Sequence, residues 1–237
     1  MKCNVTLIAV TVVGLCLAGL CVAAEQNAEE VNPEVTKLLE KLSTDIDALS
    51  AILPDDVSEQ DRDKMVEEFD RLREFAKTAL VPLCTNPVFV QEVAKQNAQG
   101  ASLADIQAID KQWTEAEDEL PIHVEKMGNA CAQEILRIAK DMPLLGETFV
   151  MDNQGANVGQ NALTSDYWQG DEPKWQNSYK EGKGGVDVSK RQFDKSTNAV
   201  DQKVSLPIIN EQGQVIGAVC MGIKVDMLNQ TAVASGN

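Results

Sequence analysis

The hydrophobic pattern of the first half of the chain has the period of α-helices. Apolar residues recur every three or four positions, the spacing that collects them on one face of a helix. This pattern occurs in four segments: residues 35–52, 65–80, 103–113 and 124–138. Ser102 followed by Asp105 forms a capping signal at the start of the third segment. We therefore predict a helical region over residues 25–145.

From Glu147 onward the period changes to two, which is typical of strands. VMDNQGANVG, from Val150, and IINEQGQVIG, from Ile208, align without a gap, and each reads as strand, Asx-rich turn with glycine, strand. These are β-hairpin signals. In the last strand, Val215 to Val225, one face is bulky and the other carries small residues, namely Ala218, Cys220 and Gly222. The pattern predicts a central strand with a helix packed closely on its small face.

Half of the ten aromatic residues fall between Thr164 and Phe193. Acidic and basic residues are interleaved with these five: Tyr167, Trp168, Trp175, Tyr179 and Phe193. Pro173, just after two acidic residues, is placed to begin a helix. A turn-rich segment of this composition suits a small-molecule pocket. The alternative is an amphipathic loop whose aromatic side chains only cap a core.

The N-terminus predicts export. Lys2 precedes an almost unbroken apolar run from Val5 to Ala24, which ends in Val-Ala-Ala before a polar segment. Residues 1–24 are typical of a signal peptide cut after Ala24, although the run is long enough for an uncleaved membrane anchor. In either case we expect a periplasmic or extracellular protein.

Outside the cytoplasm, the three cysteines beyond the leader meet an oxidising environment. Cys84 and Cys131 both lie in the helical half, next to predicted chain breaks. We expect these two to form a disulfide. Cys220, within an apolar strand, is expected to remain a buried thiol.

Charge and motif content argue against several classes of function. The formal net charge of −16 disfavours nucleic acid and anionic membranes as partners. His123 is the single histidine, and its place beside Pro121 indicates a surface or helix-capping residue. GxSxG and SxxK nucleophile motifs are absent from the sequence, as is zinc-ligand spacing. Asp166, Asp171 and Glu172 could form a carboxylate pair, but we predict no enzyme activity, metal site or cofactor.

The segments FVMDNQGANVGQN, TSDYWQGDEPKW and VSLPIINEQGQVIGAVCMGIKVD resemble the single Cache (PDC, PAS-like) family of extracellular sensor domains. The resemblance covers roughly residues 35–226, and the helical segments NPVFVQEV and LADIQAIDKQW resemble the membrane-distal helices of some members. It implies an α+β fold in which long N-terminal helices pack with a C-terminal PAS-like antiparallel sheet. The sensor domain would then occupy residues 146–228, with a flexible tail at 229–237.

The family resemblance implies recognition of a small metabolite without catalysis, with the sheet as one wall of the pocket. Family members usually continue into a second membrane span and a signalling domain, which this sequence does not show. We therefore expect a binding protein or the exported half of a two-protein sensor, with a membrane-bound receptor or kinase as partner. The alternative is an envelope interaction protein with a PAS-like fold whose pocket is filled by its own side chains.

An amine or amino acid is the favoured ligand, because aromatic faces and carboxylates both attract ammonium groups. The predicted ligand-binding residues are Asp166, Tyr167, Trp168, Asp171, Trp175 and Asp187. A rival interpretation is an anionic ligand such as a carboxylate, held by Lys174, Lys190 or Arg191.

Overall fold

The computed structural model of the protein describes residues 33–50, 58–194 and 199–228. The predicted leader at 1–24 and the predicted tail at 229–237 lie outside these ranges. Within them, no helix has both the length and the hydropathy that crossing a bilayer requires.

Helices fill the first half of the chain, as the periodicity predicts. They are α1 (Pro33–Ser50), α2 (Glu59–Phe75), α3 (Pro87–Asn97), α4 (Leu103–Glu115), α5 (Pro121–Gly128) and α6 (Ala130–Asp141). A π-helical turn, Ala76–Leu80, and a 3₁₀ turn, Val81–Thr85, continue α2 towards α3.

Side-chain caps decide where several helices begin. The Asn86 Oδ1 accepts hydrogen bonds from two backbone amides at the start of α3, and Ser102 and Asp105 form the predicted capping box of α4. Asn129 caps α6, so that the apolar segment predicted as one helix is divided into α5 and α6. His123 is a cap, since its Nδ1 accepts the Leu120 amide at 3.2 Å, but it is buried and not at the surface.

The second half forms an antiparallel sheet with the strand order β2-β1-β6-β5-β3, in which β4 also pairs with β5. The strands are β1 (Leu145–Met151), β2 (Asn157–Gln160), β3 (Asp187–Val188), β4 (Gln192–Asp194), β5 (Ala199–Ile209) and β6 (Val215–Lys224). Both predicted hairpins, β1–β2 and β5–β6, are confirmed. The position of β6 between β1 and β5 confirms the predicted central strand.

The helices and one face of the sheet share a hydrophobic core. Val219, Met221 and Ile223 of β6 belong to the same buried cluster as side chains from α1, α2, α3 and α6, among them Leu42, Leu72, Phe89 and Ile135. The short helix α7 (Pro173–Tyr179) packs on β5 and β6. The predicted α+β class, with N-terminal helices packed on a C-terminal antiparallel sheet, is confirmed.

The predicted disulfide between Cys84 and Cys131 is wrong. Both cysteines are buried free thiols, and so is Cys220, as predicted. Cys84 lies in the 3₁₀ turn, whereas Cys131 packs against Gly159 of β2. If Gly159 carried a Cβ, that atom would lie only 2.7 Å from the Cβ of Cys131. Proximity to chain breaks in the sequence does not orient two side chains towards each other, and here they pack as small apolar groups.

We expect these three cysteines to resist alkylation in the native protein. Burial raises the pKa of Cys84 to about 12 and also raises the pKa of Cys220, so almost no thiolate forms near neutral pH. Peptide mapping after iodoacetamide treatment should find the three modified only after denaturation, without any reductant. A requirement for reductant at Cys84 and Cys131 would contradict the free-thiol structure.

Candidate functional site

Helix α7 begins at the predicted position. Pro173 occupies its first turn, where the missing amide hydrogen is not needed and the fixed φ favours a helix. The helix ends at Tyr179, and the next residue, Lys180, has a left-handed φ of 51°. Helix α7 carries Trp175 and Tyr179 onto the sheet.

Two aromatic rings of α7 lie on the small-residue face of the sheet. Trp175 and Tyr179 stack with ring centroids 5.0 Å apart, and the Trp175 Nε1 donates to the Asp152 carbonyl at 3.0 Å. Both rings pack against a buried cluster from β1 and β6: Phe149, Met151, Ala218 and Cys220. The predicted close packing of a helix on the small side of β6 is therefore confirmed.

Two ammonium groups lie near the ring of Phe149. The Nζ of Lys174 is 5.3 Å from the ring centroid and that of Lys203 is 5.9 Å from it. Lys174 also donates to the Gln169 Oε1 at 2.9 Å and pairs with Glu172, while Lys203 pairs with Glu147 at 2.7 Å. The ring of Phe149 on β1, with Lys174 of α7 and Lys203 of β5 beside it, is called the Phe149 floor below.

A buried network of polar side chains adjoins this floor. Gln169 connects Asp166 with Lys174. Its Nε2 donates to the Asp166 carboxylate, and its Oε1 accepts a hydrogen bond from the Lys174 Nζ. The Asn157 Nδ2 donates to the Gln160 Oε1 at 3.0 Å and to the Thr164 Oγ1 at 2.8 Å. The side chains of Asn157, Gln160, Thr164 and Gln169 are buried, whereas those of Asp166 and Lys174 are partly buried. The network therefore joins strand β2 to the loop that precedes α7.

Two atoms of this network have no partner among the described residues. They are the Gln160 Nε2, a donor, and the Asn157 Oδ1, an acceptor, and both are shielded from solvent. Gln160 stands opposite Phe149 in the β1–β2 ladder, so it shares the face that α7 covers. A buried polar atom without a partner costs about 1–3 kcal/mol. Such atoms in a native fold call for an explanation, and a bound polar molecule supplies one.

The surroundings of Asp166 raise the pKa of its carboxyl group. Burial raises its pKa above the ordinary aspartate value, and the nearby charge of Glu172 raises it further. Hydrogen bonding from Gln169 and the charge of Lys174 act in the opposite direction but are weaker. The ionised carboxylate is therefore short of compensating positive charge, which an ammonium group could supply.

Tyr167 and Trp168 lie in a different apolar cluster from Trp175, together with Ile106 and Trp113. The backbone amides of Tyr167 and Trp168 both donate to the Asp110 Oδ1 of α4, at 2.8 and 2.9 Å. The Trp168 Nε1 donates to the Gln154 carbonyl at 2.8 Å. These two aromatic residues fasten the loop to α4 and to the first hairpin turn, so the structure does not place them with Trp175.

The remaining predicted residues lie around α7. Asp171 is exposed just before the helix, and Asp187 on β3 accepts a hydrogen bond from the Asn177 Nδ2 at 2.7 Å. Of the cations in the rival interpretation, Lys174 lies at the Phe149 floor. Arg191 instead pairs with Glu68 at 2.6 Å and lies over the ring of Phe69.

Sequence reasoning missed five residues of this site. These are Phe149, Gln160, Asn157, Gln169 and Lys203. The hairpin pattern contained a usable signal for the first two, because a turn centred near residue 154 pairs positions 149 and 160 and puts both on one face. No comparable signal marks Lys203, whose partner Glu147 is distant in the sequence. Gln169 also lacks a signal, because its nearby partners Asp166 and Lys174 follow no recognisable spacing pattern.

Comparison with protein-family models and with curated proteins found no match. Among solved structures, the sensor domain of the histidine kinase DctB from V. cholerae is similar, with 10% identity, a TM-score of 0.40, and coverage of 83% of this chain and 60% of that one. The sensory domain of the Campylobacter jejuni chemoreceptor Tlp3 with isoleucine bound has 13% identity and a TM-score of 0.32, covering 68% and 64%. The ligand-binding domain of the Pseudomonas aeruginosa PAO1 chemoreceptor PctC in complex with GABA has 11% identity and a TM-score of 0.32, covering 61% and 59%. The chain thus spans less than two thirds of each of these sensor domains.

Proposed function

We propose that this protein is an exported, non-catalytic sensor domain of the Cache type that binds a small amino acid on the sheet face covered by α7. The observation that carries the proposal is the buried polar network beside the Phe149 floor, in which the Gln160 Nε2 and the Asn157 Oδ1 lack partners among the described residues. A ligand with both hydrogen-bonding and charged groups would complete this network.

An amino acid offers three features that match three parts of the site. Its carboxylate suits the ammonium groups of Lys174 and Lys203 and the amide donor of Gln160. Its ammonium suits Asp166, whose ionised form is disfavoured by burial. Its side chain suits the apolar surface of Phe149 and Trp175. A plain amine or a plain carboxylic acid would satisfy only part of this set.

The proposal revises the predicted contacts. Asp166 and Trp175 keep their role as ligand contacts, and Lys174 moves from the rival interpretation into the site. Tyr167 and Trp168 act by holding the loop in place. Contact by Asp171 or Asp187 would depend on a ligand that extends along the exposed side of α7.

The test combines a screen with a comparison of related ligands. Thermal-shift measurements with the twenty amino acids should identify at least one that stabilises the protein. Calorimetry should then show that this amino acid binds at least about tenfold more tightly than the amine and the carboxylic acid that share its side chain. Binding of only the carboxylic acid would remove the ammonium contact from the proposal, and no binding by any amino acid would overturn it.

A pH dependence should accompany this binding. Because the Asp166 pKa is raised in the folded protein, the ligand-free site holds a proton to higher pH than a free aspartate would. An ammonium ligand binds the ionised form, so its affinity should rise as the pH increases above the ordinary aspartate range and then level off once Asp166 is ionised. This rise of ligand affinity with pH should be lost in the Asp166→Asn variant. Equal pH dependence in this variant would show that another group is titrating.

A second candidate function is interaction with an envelope partner through the PAS-like fold. Direct packing of Trp175 and Tyr179 on the sheet favours it, because these rings fill part of the face on which a ligand would lie. A protein of this kind would show no stabilisation by metabolites and would retain its partner when Lys174 is replaced.

A further inference from the structure

Helix α4 packs on the loop before α7 and on α5, apart from the main core. Helices α1, α2, α3 and α6 contribute side chains to the core that they share with the sheet. The buried side chains of α4, Ile106 and Trp113, belong to a second cluster. They pack there with residues of the first hairpin turn, the loop and α5, namely Ala156, Tyr167, Trp168 and Ile122. A helix of 13 residues is only marginally stable alone, so the stability of α4 depends on these few contacts.

Asp110 of α4 fixes the backbone of the loop before α7. Its Oδ1 accepts hydrogen bonds from the backbone amides of both Tyr167 and Trp168, at 2.8 and 2.9 Å. Amide hydrogen bonds to a carboxylate are stronger than those to a neutral acceptor. Because both amides share one oxygen, a displacement of α4 displaces this part of the loop as well.

Trp113 of α4 makes a second connection to the same loop. Its Nε1 donates to the Thr164 carbonyl at 2.9 Å in a buried hydrogen bond. The hydroxyl of the same threonine belongs to the polar network of the candidate site. It accepts a hydrogen bond from the Asn157 Nδ2 at 2.8 Å and donates to the Asp166 carbonyl at 2.7 Å. Thr164 therefore joins α4 directly to this network.

Asp166, the proposed contact for the ligand ammonium, lies between these two attachment points. Thr164 precedes it by two residues and Tyr167 follows it directly, and α4 holds both. A ligand that binds Asp166 restricts the short stretch between them. Restricting one partner of a packed pair also restricts the other, so the ligand would stabilise α4 without touching it.

We propose that α4 is the element of this protein that responds to the ligand, and that Asp110 is a positioning residue of the amino-acid site. Asp110 and Trp113 transmit the restriction of the loop to α4, which then opens less often. Because coupling between two sites is reciprocal, loss of Asp110 also weakens ligand binding. The inference takes its ligand from the proposed function, but the coupling itself is measurable in the ligand-free protein.

Hydrogen exchange in ligand-free Thr164→Val tests this coupling. Valine has nearly the shape of threonine but lacks the hydroxyl, so the network is broken while the carbonyl at position 164 still accepts from Trp113. Exchange of the α4 amides should become at least about threefold faster relative to those of α2, which belongs to the main core. Unchanged exchange in α4, or equal acceleration in the two helices, overturns the proposal.

The amino acid that stabilises the protein most in the thermal-shift screen tests the response to ligand. At saturation it should slow exchange of the α4 amides by about tenfold or more. Asp110→Ala should abolish this slowing and raise the Kd by about tenfold. Asp110→Asn keeps the Oδ1 acceptor and should restore most of both. Glu115→Gln, an exposed charge change on α4, should alter neither.

The two proposals fail in different ways. If no amino acid binds but Thr164→Val still loosens α4, the amino-acid proposal falls and the coupling of α4 to the polar network stands. If an amino acid binds without slowing exchange in α4, the inference about α4 is overturned. It is also overturned if Asp110→Ala binds the amino acid like the parent protein, or if Asp110→Asn loses as much affinity as Asp110→Ala.

Discussion

Gly155→Ala should destabilise the protein by about 3–5 kcal/mol. Gly155 has a φ of +86°, which is unfavourable for alanine, and an added Cβ would lie 2.5 Å from the Gly170 Cα. That neighbour is backbone and cannot rotate away. The substitution would force the first hairpin turn and the loop before α7 apart.

Gly213→Ala is the matched control for this prediction. Gly213 occupies the same place in the second hairpin, with a φ of +76°, but an added Cβ there would meet no atom within 4 Å. Its replacement should cost only the backbone strain, about 1–2 kcal/mol. Chemical denaturation of both variants measures the difference. Equal losses would show that the close approach of Gly155 and Gly170 contributes nothing to stability.

The same contact positions part of the candidate site. The Gln169 amide donates to the Gly155 carbonyl at 2.8 Å, and Gln169 links Asp166 to Lys174. If Gly155→Ala still folds, its amino-acid affinity should therefore fall as well, whereas Gly213→Ala should bind like the parent protein. The turn glycine thus connects the stability of the fold with the geometry of the site.

Lys174→Met should weaken amino-acid binding by about 10- to 100-fold, the effect of removing one charge-assisted hydrogen bond. Methionine keeps an unbranched apolar stem near Phe149 while removing the ammonium group. The ion pair with Glu172 is partly exposed, so the loss of stability should stay within about 1 kcal/mol. Calorimetry of the ligand identified by the screen, together with denaturation of the apo variant, measures both quantities.

Lys95→Met controls for the change of net charge. Lys95 pairs with Glu92 at 3.1 Å on the exposed side of α3, so its replacement removes the same charge and the same kind of pair. Ligand affinity should not change in this variant. If Lys174→Met also binds like the parent, the ligand carboxylate lies away from the Phe149 floor and the proposed site is misplaced.

The sequence by itself determined the elements whose signals are local. Helical periodicity, the Ser102–Asp105 cap and the two Asx-glycine turns predict α1, α2, α4 and both hairpins correctly, because these depend on neighbouring residues. The small face of β6 also predicts a helix packed upon it, and Pro173 predicts where that helix begins.

Only the tertiary structure decided which side chains meet. Tyr167 and Trp168 are close to Trp175 in the sequence, yet Asp110 and Gln154 hold them on the side of α4 and the first turn. Lys203, far along the chain, reaches the same ring as Lys174 because β5 and β1 both flank β6. The cysteines show the same dependence, since burial in separate contacts leaves Cys84 and Cys131 unpaired. Local patterns establish backbone conformation, whereas a binding site depends on strand order and on packing between distant segments, which no short stretch of sequence encodes.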